Sequence, residues 1–407
     1  MNLPLYEKVR SEPPELGVNG HRGLWFERFF DQYDSSWKVL EEKKDTKGKR
    51  EEEQGKTAWI KKVTEGCCGN GNELERHALR LAQRLQAIGG ECRGFRTDWH
   101  FATGLGNPHP VKNGFLWHPT LGVPYLPGAT VKGLVRAWVE QWDPSLSPEE
   151  KRIRCLTWFG SVTKSEVPEQ AGELIFFDAL PIEPPTLALD VITPHYGKWY
   201  EQGGEIQDPA NEPEKVPADW HDPVPVPFLV VKKAEFLFAI APRRKAFMGE
   251  VQPALDALEM ALEWLGAGAK TAVGYGRMKP ALDVKQRVDD LIREEQEKRR
   301  RREEELALRA RLANLSPTAQ YWEHRIRDAK LESDKNAFNQ HVEDWLKSLE
   351  DDPQRDAIAR LVEITRKHYK GLLENPEKTE GKKQKPAFSE RQRSIARRLN
   401  ALRGDST

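Results

Sequence analysis

The sequence predicts an α+β fold in which helices cover one face of an antiparallel sheet. From Arg93 onward, the polarity patterns run strand, helix, strand, strand, strand, helix, strand, which is a βαββαβ order with insertions. The second of these helices, Pro253 to Leu265, has apolar residues at helical spacing and ends at a glycine-rich loop. The chain therefore divides into a helical N-terminal region (1–90), a sheet-containing core (91–282) and a helical extension (283–407).

Composition limits the possible functions. The chain has 407 residues, and 64 Lys and Arg balance 64 Asp and Glu, so any basic surface must come from local segregation of charge. The cysteines have no zinc-binding spacing and indicate a reduced, intracellular protein without a metal site: Cys67, Cys68, Cys92 and Cys155. The sequence shows no signal peptide and no apolar run that could cross a bilayer, which predicts a cytoplasmic protein with no membrane partner.

The N-terminal region contains two helical patterns. Aromatic residues between Arg22 and Leu40 recur at near-helical spacing and predict a packed helix. The stretch from Asn72 to Ile88 predicts an amphipathic helix, with Asn72 and Glu75 as a capping box and Gly89 at its end.

The core begins with a strand pattern from Arg93 to Thr103, and Thr130 then opens a helix. Lys132 in its first turn and Arg136 one turn later lie on one side of this helix, whose N-terminus adds free N–H donors. This arrangement is typical of an anion site. The alternative is an ordinary capped helix with two solvated cations.

The rest of the core alternates helix and strand patterns. Ser147 and Glu150 predict a capping box for the next helix, with Pro148 at its first position. The predicted strands that follow cover Glu173 to Ala179, Thr186 to Ile192, Phe228 to Ala241, and a last segment near Tyr275 to Leu282.

A long loop from Pro194 to Pro227 interrupts these strands. It is rich in aromatic and basic residues: His195, Tyr196, Lys198, Trp199, Tyr200, Trp220 and His221. Such residues suit single-stranded nucleic acid, because bases stack on rings and phosphates pair with cations. The alternative is a loop whose aromatic residues anchor it to its own domain.

The glycine loop, Gly266 to Arg277, is the main candidate site. Its glycines allow positive φ and close approach to another backbone: Gly266, Gly268, Gly274 and Gly276. Freed N–H groups beside the side chains of Lys270, Thr271, Tyr275 and Arg277 suit a chain of phosphates. A P-loop is excluded, because the GxxxxGK[ST] spacing is missing and the loop follows a helix. The alternative is a tight helix-to-strand connection with a solvated lysine.

The extension, 283–407, begins with a highly charged helix from Lys285 to Arg311 and continues with two helices that have apolar faces. We expect a small helical domain that folds separately from the core. The basic tail from Lys378 to Arg403 ends in a helix with a narrow apolar stripe. Because this helix is short, we expect it to become ordered only against RNA or a neighbouring subunit.

Several segments, in order along the chain, resemble the RAMP superfamily of CRISPR-associated proteins: GVPYLPGATVKG (122–133), WFGS (158–161), GELIFFDA (172–179) and GAGAKTAVGYGR (266–277). More narrowly, GLWFERF (23–29), DVITPHY (190–196) and DPVPVPFLVV (222–231) are similar to the family of sixth subunits of Cmr, or type III-B, effector complexes. The resemblance spans about Gly20 to Lys285, and the chain departs from the family pattern after Asp283.

This resemblance implies a ferredoxin-like RAMP core in an RNA-guided antiviral ribonucleoprotein. The chain would hold guide RNA near its 3′ end and cap the backbone filament, with target RNA as a further candidate ligand. Its protein partners would be other Cmr subunits, especially the backbone and small subunits. The predicted RNA-binding residues are Lys132, Gly133, Arg136, His195, Tyr196, Lys198, Gly266, Gly268, Lys270, Thr271, Gly274, Tyr275, Gly276 and Arg277.

The resemblance also implies a chain that binds RNA without cutting it and that uses no cofactor. A metal-independent endoribonuclease remains an alternative, because RAMP-type folds include guide-processing enzymes that use histidine; the available histidines are His100, His109, His118 and His195. A scaffold whose basic loops bind only protein is the third class.

Two expectations concern how these residues are arranged. Lys132 and the glycine loop should form one phosphate-binding surface, because both helices of a ferredoxin-like core lie on one face of the sheet. Asp178 and Asp190 lie at strand ends and should cap or brace loops.

Overall fold

The computed structural model describes residues 16–17, 20–41, 43–44, 50–52, 54–161, 169–194, 196–202, 206–218, 221, 223–313, 317–380 and 385–404. The chain forms two compact units, Met1–Glu295 and Gln296–Thr407. In the described part of the chain, no helix is long and apolar enough to cross a membrane.

The helices of the first unit are α1 (Arg22–Arg28), α2 (Gly55–Thr64), α3 (Gly71–Ile88), α4 (Gly128–Ala137), α5 (Pro148–Phe159), α6 (Gly197–Gln202) and α7 (Val251–Trp264). A π-helical turn (Trp138–Trp142) extends α4, and 3₁₀ turns occur at Lys245–Glu250 and Thr271–Val273. The unit boundary falls within α8 (Leu282–Leu312). The second unit contains α9 (Pro317–Asp328), α10 (Lys335–Asp351), α11 (Arg355–His368) and α12 (Glu390–Arg403).

The strands are β1 (Lys43–Lys44), β2 (Arg50–Glu52), β3 (Glu91–Thr97), β4 (Leu174–Phe176), β5 (Leu180–Pro181), β6 (Thr186–Ile192), β7 (Val226–Lys233), β8 (Glu235–Pro242), β9 (Met278–Pro280), β10 (Thr379–Glu380) and β11 (Lys385–Pro386). The main sheet has the order β4-β8-β3-β9, and β5 also pairs with β8. Its strand pairs are antiparallel. Separate hairpins are formed by β1 with β2, β6 with β7, and β10 with β11.

The main sheet confirms the α+β, ferredoxin-like fold. Its elements follow one another as β3, α4, β4, β8, α7 and β9, which is the predicted βαββαβ order. The segment from β5 to β7 is an insertion between β4 and β8. Within it, β6 pairs with β7 outside the main sheet.

Helices cover both faces of this sheet, whereas the sequence analysis placed them on one. Every residue of β8 is buried, and alternate side chains of a strand point to opposite faces. Phe236 and Phe238 belong to the core that includes α4 and α7. Leu237 and Ala239 belong to a second core with α3 and the first turns of α8. An unbroken apolar run such as that of β8 is typical of a strand covered on both sides.

The predicted divisions at residues 90 and 282 are not unit boundaries. Leu81 and Leu85 of α3 share a core with Leu237, so the N-terminal region belongs to the same unit as the sheet. Val284 and Val288 of α8 are buried in that core too. The first unit therefore extends to Glu295, beyond the residue 282 that the sequence analysis proposed.

Local structure agrees with some of the predictions from short-range patterns and differs from others. Ser147 forms the expected capping box with Glu150 at the start of α5. The cap of α3 is Asn70 instead of Asn72: its side chain accepts the N–H groups of Asn72 and Glu73. The helix predicted from Arg22 to Leu40 ends at Arg28, and the strand predicted over 228–241 is divided between β7 and β8.

The second unit is a helical domain with its own core, and α12 is part of it. Ile395 and Leu399 are buried together with Leu346 of α10 and Leu361 of α11. The expectation that this tail helix becomes ordered only against RNA or a neighbouring subunit is therefore wrong. Its arginines also have partners within the unit, such as Glu350, whose carboxylate accepts from Arg398 at 2.6 and 2.8 Å.

We expect Leu399→Ala to destabilise the second unit by about 2–5 kcal/mol, because this fully buried side chain would leave a cavity. Hydrogen exchange of the full chain should become faster in α10, α11 and α12 while the strands of the main sheet stay protected. Leu306→Ala is the control, since Leu306 is 56% exposed. Equal protection in both variants would show that α12 does not stabilise this unit.

Candidate nucleic-acid interface

The glycine loop (Gly266–Arg277) lies against the segment that follows β3. Ala269 N–H donates to Ala102 O at 2.7 Å, and Gly276 N–H donates to His100 O at 2.8 Å. In return, Asp98 N–H donates to Arg277 O at 2.9 Å. These three backbone hydrogen bonds fix the loop to residues 98–102, directly after the end of β3.

Glycine is required in this loop by both conformation and space. Gly268 and Gly276 have φ of 86° and 75°, a region that favours glycine. A Cβ on Gly276 would lie 1.9 Å from Ala267 O, and a Cβ on Gly268 would lie 2.2 Å from Ala102 O. Lys270 also has a positive φ, 61°, which is uncommon for a residue with a side chain. The loop is therefore a closely packed and partly strained connection.

Much of the loop's backbone hydrogen bonding is internal to the chain. Seven of its N–H groups donate to carbonyls of the described chain: those of Gly266, Ala267, Ala269, Val273, Gly274, Tyr275 and Gly276. The sequence analysis expected glycine to free these donors for phosphates. Cationic side chains on the loop are consequently the better candidates for contacting an anion.

Hydrogen bonds among Asp190, Tyr275 and His100 connect the glycine loop to the β6–β7 hairpin. Asp190 Oδ2 accepts from Tyr275 Oη at 2.6 Å and lies 2.9 Å from His100 Nδ1. Burial raises the pKa of Tyr275, and its bond to the Asp190 carboxylate raises that pKa further. Burial alone would raise the pKa of Asp190, but hydrogen bonds from Tyr275, His100 and Val191 N–H outweigh it and lower that pKa. Asp190 thus braces the loop in its ionised form, as the sequence analysis expected of a bracing residue.

This bracing predicts a contribution to acid unfolding. Because the folded-state pKa of Asp190 lies below the unfolded value of about 3.9, its carboxylate stabilises the fold above about pH 4. That contribution disappears as the pH falls through the lower folded-state pKa. We expect chemical unfolding of Asp190→Asn to depend less steeply on pH than that of the parent between about pH 5 and pH 2. Glu263→Gln is the control at an exposed position, and identical slopes in Asp190→Asn and parent would refute the bracing role.

Two cations are presented by the loop. The ammonium group of Lys270 lies 5.6 Å from the ring centroid of the buried Phe228, a cation–π contact that leaves the side chain half-buried. Arg277 is exposed, and within the described residues its guanidinium makes no ion pair. Thr271, which lies between these two residues in the sequence, is half-buried. We call Lys270, Thr271, Tyr275 and Arg277, with the neighbouring residues Trp99 and His100, the glycine-loop surface.

Lys132 lies at the opposite end of the sheet, so it does not form one phosphate-binding surface with the glycine loop. Its Nζ donates to Phe159 O at 2.9 Å, and burial followed by repulsion from Arg136 and Arg243 lowers its pKa. Arg243 follows the end of β8 and bonds Gly172 O. The glycine loop instead lies in space next to the end of β3. Because β3 and β8 are antiparallel neighbours, their C-terminal ends lie at opposite ends of the strands.

Arg136 and Gly133 of α4 remain predicted RNA-binding residues. Arg136 pairs with Glu140 at 3.2 Å and lines a groove of about 600 Å³ with Lys151 and Leu156. A Cβ on Gly133 would meet no atom within 4 Å, so this glycine borders open space. Asp178 accepts the N–H of Gly128 at the start of α4, which is the capping role expected for it.

The long loop begins after Ile192, the last residue of β6. Asp190, two residues earlier, bonds Tyr275, so the loop leaves the β6–β7 hairpin beside the glycine-loop surface. Tyr196 is half-buried, and its carbonyl accepts the N–H of Tyr200. Lys198 lies in α6. His195 lies outside the described residues.

Two residues of the surface were not in the predicted RNA-binding set. His100 was named only for the nuclease alternative, and Trp99 was not singled out. The run of aromatic residues WHF, 99–101, directly after a strand is the sequence pattern that could have indicated them. His109 and His118 lie in other surroundings: His109 Nε2 bonds Phe26 O, and His118 Nδ1 accepts the N–H of Leu121. Within the described ranges, no three His, Cys, Asp or Glu side chains are grouped so as to hold a metal ion.

Comparison with known proteins gives consistent similarities. Residues 95–279 match the RAMP superfamily. The chain is 30% identical over 248 residues to the CRISPR system Cmr subunit Cmr6 of Pyrococcus furiosus, across 49% of this chain and 69% of that protein. It is 28% identical over 165 residues to the CRISPR system CMR subunit Cmr6 of Saccharolobus solfataricus, across 40% of this chain and 47% of that protein.

Solved structures are similar over part of the chain. A chain of the type III-B Cmr-beta complex bound to cognate target RNA has 22% identity and a TM-score of 0.41, across 56% of this chain and 71% of that chain. The crystal structure of Cmr6 from Pyrococcus furiosus has 26% identity and a TM-score of 0.26, across 47% of this chain and 98% of that chain.

Proposed function

Because this chain belongs to the Cmr6 family of the RAMP superfamily, we propose that it is a non-catalytic, RNA-binding subunit of a type III-B (Cmr) CRISPR effector complex. It holds guide RNA near its 3′ end and caps the backbone filament, and its partners are the backbone and small subunits. Target RNA is a second ligand of the same assembly. The family membership supports the Cmr assignment, and the glycine-loop surface supports the RNA-binding role.

One observation carries the RNA-binding role. The exposed Arg277 and the half-buried Lys270 project from a loop whose backbone is fixed to residues 98–102 and, through Tyr275 and Asp190, to the β6–β7 hairpin. Fixed cations beside aromatic rings are the combination that binds single-stranded nucleic acid, because phosphates pair with the cations while bases stack on the rings. A loop already held in place also loses little conformational entropy on binding.

Binding of labelled single-stranded RNA by the purified full chain tests this function. We expect binding that weakens as salt rises, because phosphate contacts release counterions. We also expect the RNA to stay intact during long incubation without metal. Binding of RNA that stays intact supports a guide-holding subunit, whereas absence of binding at low salt would favour the protein scaffold.

The contact of 2.9 Å between His100 Nδ1 and Asp190 Oδ2 is the observation that favours the endoribonuclease alternative, since a histidine whose other ring nitrogen is held by a carboxylate can act as a general base. If the parent chain cleaved RNA and His100→Ala abolished cleavage while binding remained, this enzyme would replace the non-catalytic subunit as the proposed function.

A further inference from the structure

Trp99 exposes a large aromatic ring at the glycine-loop surface. The residue lies two positions after the end of β3, and its side chain is 58% exposed. One face of the ring stacks on the imidazole of His100, with centroids 4.7 Å apart and an angle of 21° between the planes. Trp is a side chain that buries a large apolar area when it finds a partner. Because one face of the ring stacks on His100 and much of the side chain is exposed, a second flat group can stack on the ring.

The residues on both sides of Trp99 in the sequence are fixed by contacts with other parts of the chain. His100 is fixed through Nδ1 to Asp190 at 2.9 Å and through its carbonyl to Gly276 N–H at 2.8 Å. Asp98 N–H bonds Arg277 O at 2.9 Å, and Phe101 is buried and pairs with Val231. These contacts fix the backbone directly before and after Trp99, at residues 98, 100 and 101. Stacking against a fixed ring costs little ordering entropy, which favours the bound state.

The backbone of a cationic residue lies next to the chain segment that carries this ring. The hydrogen bond between Asp98 and Arg277 makes Arg277 a backbone neighbour of the residue before Trp99. Lys279 pairs with Asp98 at 2.7 Å, so the nearby acid is already neutralised. The ligand that matches a flat apolar face near an exposed guanidinium is a nucleobase attached to a phosphate backbone.

We infer that Trp99 is a stacking platform for one unpaired base of a single-stranded RNA whose phosphates contact Arg277. This inference rests on the proposed RNA-binding function and adds the residue that contacts a base. A base inside a duplex is already stacked on its neighbours and is not available to a protein ring, so the surface selects single-stranded over double-stranded RNA. His100 and Asp190 are positioning residues, because they hold the ring without touching the base.

Affinities of the full chain for labelled single-stranded RNA and for an RNA duplex of equal length test the platform. We expect Trp99→Ala to weaken binding of the single strand by about 5- to 150-fold, the range found for loss of one base–aromatic stack. Trp99→Phe should retain most of the affinity, since a flat ring remains. The salt dependence should be the same in parent and Trp99→Ala, because no phosphate contact is removed. Duplex binding should be equal in parent and Trp99→Ala.

Trp142→Ala is the matched control, because Trp142 is 59% exposed and lies on the turn that extends α4. Circular dichroism establishes that each variant is folded. If the parent binds single-stranded RNA and Trp99→Ala binds it equally well, the platform is refuted while the proposed function stands. A parent chain that binds no RNA refutes both. A folded Trp99→Ala that keeps its RNA affinity but fails to join its complex would show that the ring serves protein contact instead.

Discussion

Reversal of the charges at Lys270 and Arg277 is expected to weaken binding of single-stranded RNA by the full chain at least about tenfold at moderate salt. Two phosphate contacts would be replaced by two repulsive carboxylates. Each phosphate contact contributes about 0.7 to the slope of log affinity against log salt for single strands, so Lys270→Glu with Arg277→Glu should reduce that slope by about 1.4. A titration of labelled RNA at several salt concentrations measures both quantities.

A charge-matched control separates local contact from net charge. Arg80→Glu with Lys245→Glu changes the charge of the chain equally, at exposed positions on α3 and after the end of β8. This control should keep most of the affinity and the parent slope. Thermal unfolding of the two double variants should match that of the parent, since all four side chains are at least partly exposed. Equal RNA affinity in both double variants would remove the glycine loop as the binding surface.

Ending the chain at Leu282 is expected to destabilise the first unit by about 5 kcal/mol or more. This truncation removes three buried side chains, Val284, Val288 and Ile292, each of which stabilises the fold by about 1.5–3 kcal/mol through its burial. It exposes the face of the sheet on which Ala239 lies. Since whole domains are stable by only about 5–15 kcal/mol, the shortened chain should be largely unfolded or aggregated.

The contact between α8 and β3 is close as well as apolar. A Cβ on Gly94 would lie 2.3 Å from Val284 Cβ, so the absence of a side chain on Gly94 allows α8 to lie directly on the strand. The truncation also removes Arg287, one of two arginines that pair with the buried Glu235. Loss of one partner weakens the compensation of a buried carboxylate.

The control for this prediction is a chain that ends at Glu295, which keeps the complete first unit. We expect this longer chain to unfold cooperatively at a temperature well above that of the chain ending at Leu282. It should also bind single-stranded RNA, because the glycine-loop surface lies within it. Equal unfolding temperatures would mean that the start of α8 adds nothing to the stability of the sheet.

Elements set by neighbouring residues were predictable from the sequence. The capping box of Ser147 and the end of α7 before Gly266 depend on residues within a few positions, and both are present. The cap of α3 was misplaced, because Asn70 and Asn72 are both good capping residues and the choice depends on where the chain enters the helix. The order of strands and helices, and the family resemblance, also follow from linear patterns.

Tertiary structure decided which of the predicted residues meet. Asp190 contacts Tyr275 and His100 across 85 and 90 positions of the chain, and no short pattern encodes such a pairing. The antiparallel arrangement of β3 and β8 separates Lys132 from the glycine loop, although both carry family motifs. The tail helix α12 has a weak stripe by itself, yet the facing surfaces of α10 and α11 bury it. The sequence by itself determined the order of the main strands and helices and the family. Long-range packing determined the composition of the glycine-loop surface, because burial and hydrogen bonding depend on distance in space.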